Sequence, residues 1–191
     1  MVLPSYPNML IIAGNGRNSG KTTFISRIIT RISNVFPVTA IKITPHFHDM
    51  NEYEFRNNRS FVIEHEMNPF GDKDSSRMLS AGAREVFFLR SSDTFLPEAF
   101  THLHDCLNPE HLWVCESGGL RHFVVPGLFL IIRRKDDAPW KESVKPLLNI
   151  ADQIVYFNGH DFDLDINNII PTPNSWHITP RHPGVSPVIP A

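Results

Sequence analysis

The residues best equipped for chemistry form one run, Gly14-Asn-Gly-Arg-Asn-Ser-Gly-Lys-Thr-Thr23. Glycines let successive backbone N–H groups converge on one anion, and a helix N-terminus behind them adds partial positive charge. In such a phosphate-binding loop Lys21 reaches the β- and γ-phosphates of a nucleotide, and the Thr22 hydroxyl binds Mg²⁺. Gly16, Arg17, Asn18, Ser19, Gly20, Lys21, Thr22 and Thr23 are the candidate nucleotide contacts. The usual pattern has glycine at position 15. This chain has Asn15, and asparagine is the next best tolerated residue at positive φ. A glycine-rich turn capping a helix would have the same composition. The S-G-K-T-T core, with an apolar strand before it and an amphipathic segment after it, favours phosphate.

A phosphate loop needs a nearby carboxylate to organise its metal. The apolar run Leu112-Trp-Val-Cys-Glu116 ends in one, followed by Ser117-Gly118-Gly119. Glu116 is therefore the candidate metal ligand with Thr22, and Lys21 and Glu116 are the candidate catalytic residues. Asp152 precedes its strand and fits less well. Lys42 ends another β-branched run, with Pro45-His-Phe-His48 behind it. Lys42 and His46 would then face the loop's mouth and contact an anionic substrate. Zn²⁺ would need more ligands than His46 and His48. In Lys73-Asp-Ser-Ser-Arg77, Asp74 or Ser75 can cap a helix. Arg77 in its first turns opposes the dipole, which hints at a bound anion; a solvated arginine is the alternative.

These residues need a scaffold. Met9–Ala13 reads as a buried strand. Phe24, Ile25, Ile28, Ile29 and Ile32 give 22–33 the period of an amphipathic helix. Val38–Ile43 reads as the next strand, completing a βαβ unit. The alternation continues with strands at 85–89, 112–116, 127–132 and 153–157, and helices at 96–107 and 140–150, the last despite Pro146. The expectation is an α/β fold with a mostly parallel central sheet covered on both faces, in three layers. An irregular insertion occupies 46–73, with one strand-like piece at 61–66. Residues 1–170 form the expected nucleotide-binding domain. From Pro171 onward lie six prolines, so 171–191 is expected to be an extended arm on a surface, or disordered.

Composition narrows the function classes. The 191 residues carry 18 Lys and Arg against 20 Asp and Glu, a net charge of -2. That balance disfavours nucleic acid and anionic membranes as partners. Arg133-Arg-Lys135 is the only basic run, and Asp136-Asp137 follows it. Two cysteines suit a reducing compartment. No apolar run approaches the roughly 20 residues that span a bilayer. A cytoplasmic protein is expected.

The order of these motifs resembles the molybdopterin-guanine dinucleotide biosynthesis protein B (MobB-like) family over roughly residues 9–157. The segments that carry the likeness are S-G-K-T-T at 19–23, Ala40-Ile-Lys42 with His46, Lys73-Asp-Ser-Ser-Arg77 with Ala81-Gly-Ala83, and the strand ending at Glu116. The resemblance implies a P-loop NTPase-like fold that binds GTP with Mg²⁺, hydrolyses it slowly, forms a homodimer and assists a molybdopterin guanylyltransferase. It places Lys42, His46, Asp74, Ser76 and Arg77 in the shared cleft. The chain has no N-K-x-D guanine-reading motif, so GTP over ATP comes from the resemblance; Asn158-Gly159 is either a base contact or a turn. The alternatives are a small-molecule kinase of the P-loop class and a degenerate module without turnover.

Overall fold

Met9–Ala13 is apolar without a break, and a strand of that kind needs cover on both faces. The computed structural model, which describes residues 2–16, 18–45, 61–135 and 139–179, supplies it. The run is the inner half of β1 (Ser5–Gly14). Around it stand β2 (Val38–Thr44), β3 (Phe61–His65), β4 (Glu85–Ser91), β5 (Leu112–Glu116), β6 (Val125–Arg134) and β7 (Gln153–Phe157). They form one seven-stranded sheet in the order β3-β4-β2-β5-β1-β6-β7. Every neighbouring pair is parallel except β3 on β4, at the edge.

Period-2 alternation divides the apolar side chains between the faces. Leu10 and Ile12 share a core with Phe24, Ile25, Ile28 and Ile29 of α1 (Lys21–Ile32) and Met78 of α2 (Asp74–Ser80). Met9, Ile11 and Ala13 share the opposite core with Phe100 and Leu103 of α3 (Leu96–His104). The chain is thus an α/β protein with a mostly parallel central sheet. Among the described residues no helix is long and apolar enough to cross a membrane.

Register decides what meets at the sheet's rim. Glu116 pairs with Ile12 of β1 on one side and with Lys42 of β2 on the other, and Lys42 also pairs with Phe88 of β4. Parallel strands all end at the same rim, so Gly14, Lys42 and Glu116 converge there. At the opposite end, pairing between β1 and β6 shifts register between Tyr6 and Leu10. Gly127 sits opposite that shift. A Cβ there would stand 2.0 Å from the Pro7 carbonyl oxygen, so only glycine lets the strands approach.

Two expectations change. Instead of an α-helix over 140–150, the chain makes a 3₁₀ turn at Lys145–Ile150 with Pro146 in its first positions. Proline lacks the N–H and crowds the carbonyl four residues back, which stops an α-helix and leaves the tighter turn. Residues 171–178, expected as an extended surface arm or as disordered, form regular structure that reaches the core. β8 (Ile169–Thr172) and β9 (Ser175–Ile178) make an antiparallel hairpin, a sheet of their own. Trp176 is 1% exposed within the α1-side core. Its indole N–H donates to the Asn8 carbonyl at 2.9 Å.

Candidate functional site

The loop between β1 and α1 is held from both sides. Asn15 donates its backbone N–H to Ile132 of β6 at 3.2 Å, and its side-chain Oδ1 accepts from the Lys141 N–H at 2.9 Å. Among the described residues of this loop, positive φ falls on Asn18 (φ 58) and Gly20 (φ 90), not on Asn15. Asn15 therefore serves as an anchor, a role glycine has no side chain to fill. Gly20 precedes α1 with Phe157 against it; a Cβ there would stand 2.8 Å from Phe157 Cδ1. No described side chain caps α1, and its first turn has no acidic residue. Its leading N–H groups and its dipole are left for an anion.

Lys21 lies along this loop. Its Nζ donates to the Gly16 carbonyl at 2.8 Å and to Ser19 Oγ at 3.2 Å. Burial lowers its pKa, with Lys42 adding to that and Glu116 opposing it. Thr22 Oγ1 donates to Glu116 Oε2 at 3.0 Å in a buried contact. Thr23 Oγ1 accepts from Arg77 Nη2 at 3.4 Å. The Lys42 ammonium stands between two carboxylates, donating to Asp74 Oδ2 at 2.9 Å and to Glu116 Oε1. Burial works against its charge, but Glu116 and Asp74 outweigh burial and hold its pKa above the usual lysine value. Asp74 is likewise half-buried, yet Lys42, Thr22 and Arg77 keep its carboxyl below the usual aspartate value.

All of this surrounds one cleft of about 1010 Å³ at the carboxyl ends of the strands. Gly16, Asn18, Ser19, Gly20, Lys21, Thr22, Thr23, Lys42, Asp74, Arg77 and Glu116 line it, as the sequence suggests. Arg17, His46 and His48 lie outside the described residues. Ser76 does not line the cleft: it is 1% exposed and hydrogen-bonds Glu66, whereas Ser75 does reach the lining. Ser75 Oγ also donates to Glu66 Oε2 at 2.8 Å, so Glu66 tethers the start of α2, where Asp74 stands. Sequence reasoning missed Glu66, Lys141, Phe157, Phe88 and Arg90; only Phe88 and Arg90 share an element, at alternate positions of β4, and no motif links the rest. Asn158 is a turn residue, its Oδ1 accepting the His160 and Asp161 N–H groups at 2.9 and 2.8 Å. Asp152 holds the Phe129 N–H of β6 at 2.7 Å, a structural role. In the basic run, the Arg133 guanidinium lies 4.3 Å over the Trp140 ring.

The donor set around Thr22 is hard oxygen: one hydroxyl and the carboxylates of Glu116 and Asp74. Mg²⁺ favours such a site, with one or two carboxylates and the remaining positions left to water and phosphate. Among the described residues no group of three or more His, Cys, Asp or Glu that could hold a metal stands together. Comparison with protein-family models, with curated proteins and with solved structures finds no match to this chain. What fold and site define is a class: an α/β protein with a glycine-rich, lysine-bearing loop at the carboxyl rim of a parallel sheet.

The depressed Asp74 pKa has a signed consequence. A carboxyl whose folded pKa lies below its unfolded value stabilises the fold fully above about pH 4, and that stability is lost as pH falls toward the folded value. Urea unfolding of the parent and of Asp74→Asn between pH 2.5 and 6 should show a stability gap that narrows on the acid side. A gap independent of pH would remove the ion pair with Lys42 as its cause.

Proposed function

We propose that this chain is a P-loop nucleotide-binding protein of the MobB-like kind, with a three-layer P-loop NTPase-like fold. It takes Mg²⁺ and a nucleoside triphosphate, GTP on the resemblance, and assists a molybdopterin guanylyltransferase as a cytoplasmic homodimer. The observation that carries this reading is the Thr22–Glu116 hydrogen bond beside the loop, since these are the two groups a nucleotide-bound metal requires. In this reading the loop N–H groups and the α1 N-terminus bind the phosphates, and Lys21 exchanges the Gly16 carbonyl for phosphate oxygens. Thr22 and Glu116, with Asp74 near, hold the Mg²⁺, which supplies charge neutralisation at the β- and γ-phosphates. Asn15 and Glu66 fix the loop and α2. Hydrolysis is slow in this reading because the metal site takes up Glu116 and Asp74, the two carboxylates among the described residues that line the cleft, leaving neither as a spare base.

Calorimetry with GTP and ATP at millimolar Mg²⁺ tests the reading. Saturable binding, stronger for GTP, is expected, as is nucleotide-dependent association with a molybdopterin guanylyltransferase. No heat with either nucleotide leaves a degenerate loop. Binding of both nucleotides without that association removes the accessory role.

One observation favours a second reading. The cleft runs past the loop to Lys73, Phe88 and Arg90, which gives room for an acceptor beside the nucleotide. A small-molecule kinase would transfer phosphate to a metabolite faster than to water, and a metabolite screen with labelled nucleotide separates the two.

A further inference from the structure

Lys42 is where the proposed metal site and the present structure disagree in charge. Its ammonium occupies the space between Glu116 and Asp74, the two carboxylates that a divalent cation would use, and Thr22 completes the same cluster. The Lys42 side chain is 16% exposed and that of Glu116 is 4% exposed, so water screens this pair weakly. Two cations cannot share so small a set of oxygens. The cluster sums to one net negative charge with Lys42 in place. A divalent ion on the carboxylates brings them to neutrality and leaves one ammonium over, in a cleft that also holds Lys21.

We propose that Lys42 is the resident counter-cation of this carboxylate pair, and that a divalent ion enters by displacing its ammonium, which is thereby released to the phosphates of the incoming nucleotide. The inference rests on the P-loop reading for the nucleotide, but not for the exchange itself. Lysine and metal compete for the same oxygens, so metal alone binds weakly. Once phosphate accepts the displaced ammonium, the competition ends. Metal and nucleotide must therefore strengthen each other's binding by the same factor, as linkage requires. Lys42 is a positioning residue here: it offsets the repulsion between two carboxylates and holds them around one cation until the metal arrives.

The test uses Mn²⁺ as the probe, with free Mn²⁺ read by electron paramagnetic resonance on the nucleotide-free protein. Lys42→Met should bind Mn²⁺ at least about tenfold more tightly than the parent, because a competing charge at hydrogen-bond distance is gone. Equal or weaker binding, or no binding by either protein at millimolar Mn²⁺, overturns the proposal. Lys42→Met leaves two carboxylates without their cation and is checked for folding by circular dichroism. A second measurement needs no variant. Reductive methylation of the parent, followed peptide by peptide in a mass spectrometer, should modify Lys42 several-fold faster when Mn²⁺ is bound. An unchanged rate with Mn²⁺ bound overturns the exchange. The P-loop reading fails separately, in the nucleotide calorimetry: a protein that exchanges Lys42 for Mn²⁺ but binds no nucleotide refutes that reading alone.

Discussion

Lys21→Ala is expected to weaken binding of Mg²⁺-nucleotide at least about a hundredfold, which is about 2.7 kcal/mol of binding free energy. Two effects oppose each other. In the free protein the Lys21 ammonium already has partners, the Gly16 carbonyl at 2.8 Å and Ser19 Oγ at 3.2 Å, so binding must first release it. Burial also disfavours its charge. A triphosphate reverses the second effect, because a polyanion at contact distance restores the preference for the ammonium. It replaces the first, bonds from the ammonium to neutral oxygens, with bonds from the ammonium to anionic phosphate oxygens, which add the attraction of opposite full charges. The gain exceeds the release, so the sign is fixed. Stability should move the other way or hardly at all, since a buried ammonium is removed with its desolvation. Calorimetric affinity within about threefold of the parent, on a variant that unfolds like the parent, would sink the assignment of this loop to phosphate.

The parts of this site that were legible in the sequence share one physical cause. In a parallel sheet every strand ends at the same rim, so Gly14, Lys42 and Glu116 are neighbours even though their strands lie far apart along the chain. Three apolar runs and three residues at their ends suffice to put them together. The β1–α1 unit was legible because its period changes from a continuous apolar run to the helical spacing of Phe24, Ile25, Ile28 and Ile32 within the loop's length.

What the sequence hid depends on side-chain reach. Asn15 looks like a conformational substitute for glycine; only its contact with the Lys141 N–H marks it as an anchor. Ser75 and Ser76 are adjacent in a short helix and both reach Glu66, and nothing local says which one also lines the cleft. Residues 140–150 read as a helix despite Pro146, and the backbone follows the proline instead. The proline count from Pro171 onward pointed away from regular structure. Yet a four-residue strand in a two-stranded hairpin asks few N–H groups of its chain, so Pro171 fits inside β8.

That hairpin carries the other large expected effect. Trp176→Ala should lower the unfolding free energy by about 3–5 kcal/mol, the usual loss for truncating a buried aromatic. For a chain of this size that corresponds to roughly 6–20 °C in Tm. An aromatic on a surface arm would cost less than about 0.5 kcal/mol. The larger value follows from three observations: Trp176 is 1% exposed, it shares a core with Phe24 and Ile28 of α1, and its indole N–H satisfies the Asn8 carbonyl at 2.9 Å. Truncation opens a cavity and also removes that hydrogen bond to β1. Trp176→Phe separates the two, restoring most of the volume and none of the hydrogen bond, and should recover more than half of the loss. Because α1 rests on this core, a nucleotide that binds only the folded loop should offset part of the loss, about 2.7 kcal/mol at a hundred times its Kd. Calorimetric melting of the three proteins with and without GTP reads all of this at once. A Trp176→Ala loss below about 1 kcal/mol would show that the hairpin is not part of the core on which α1 depends.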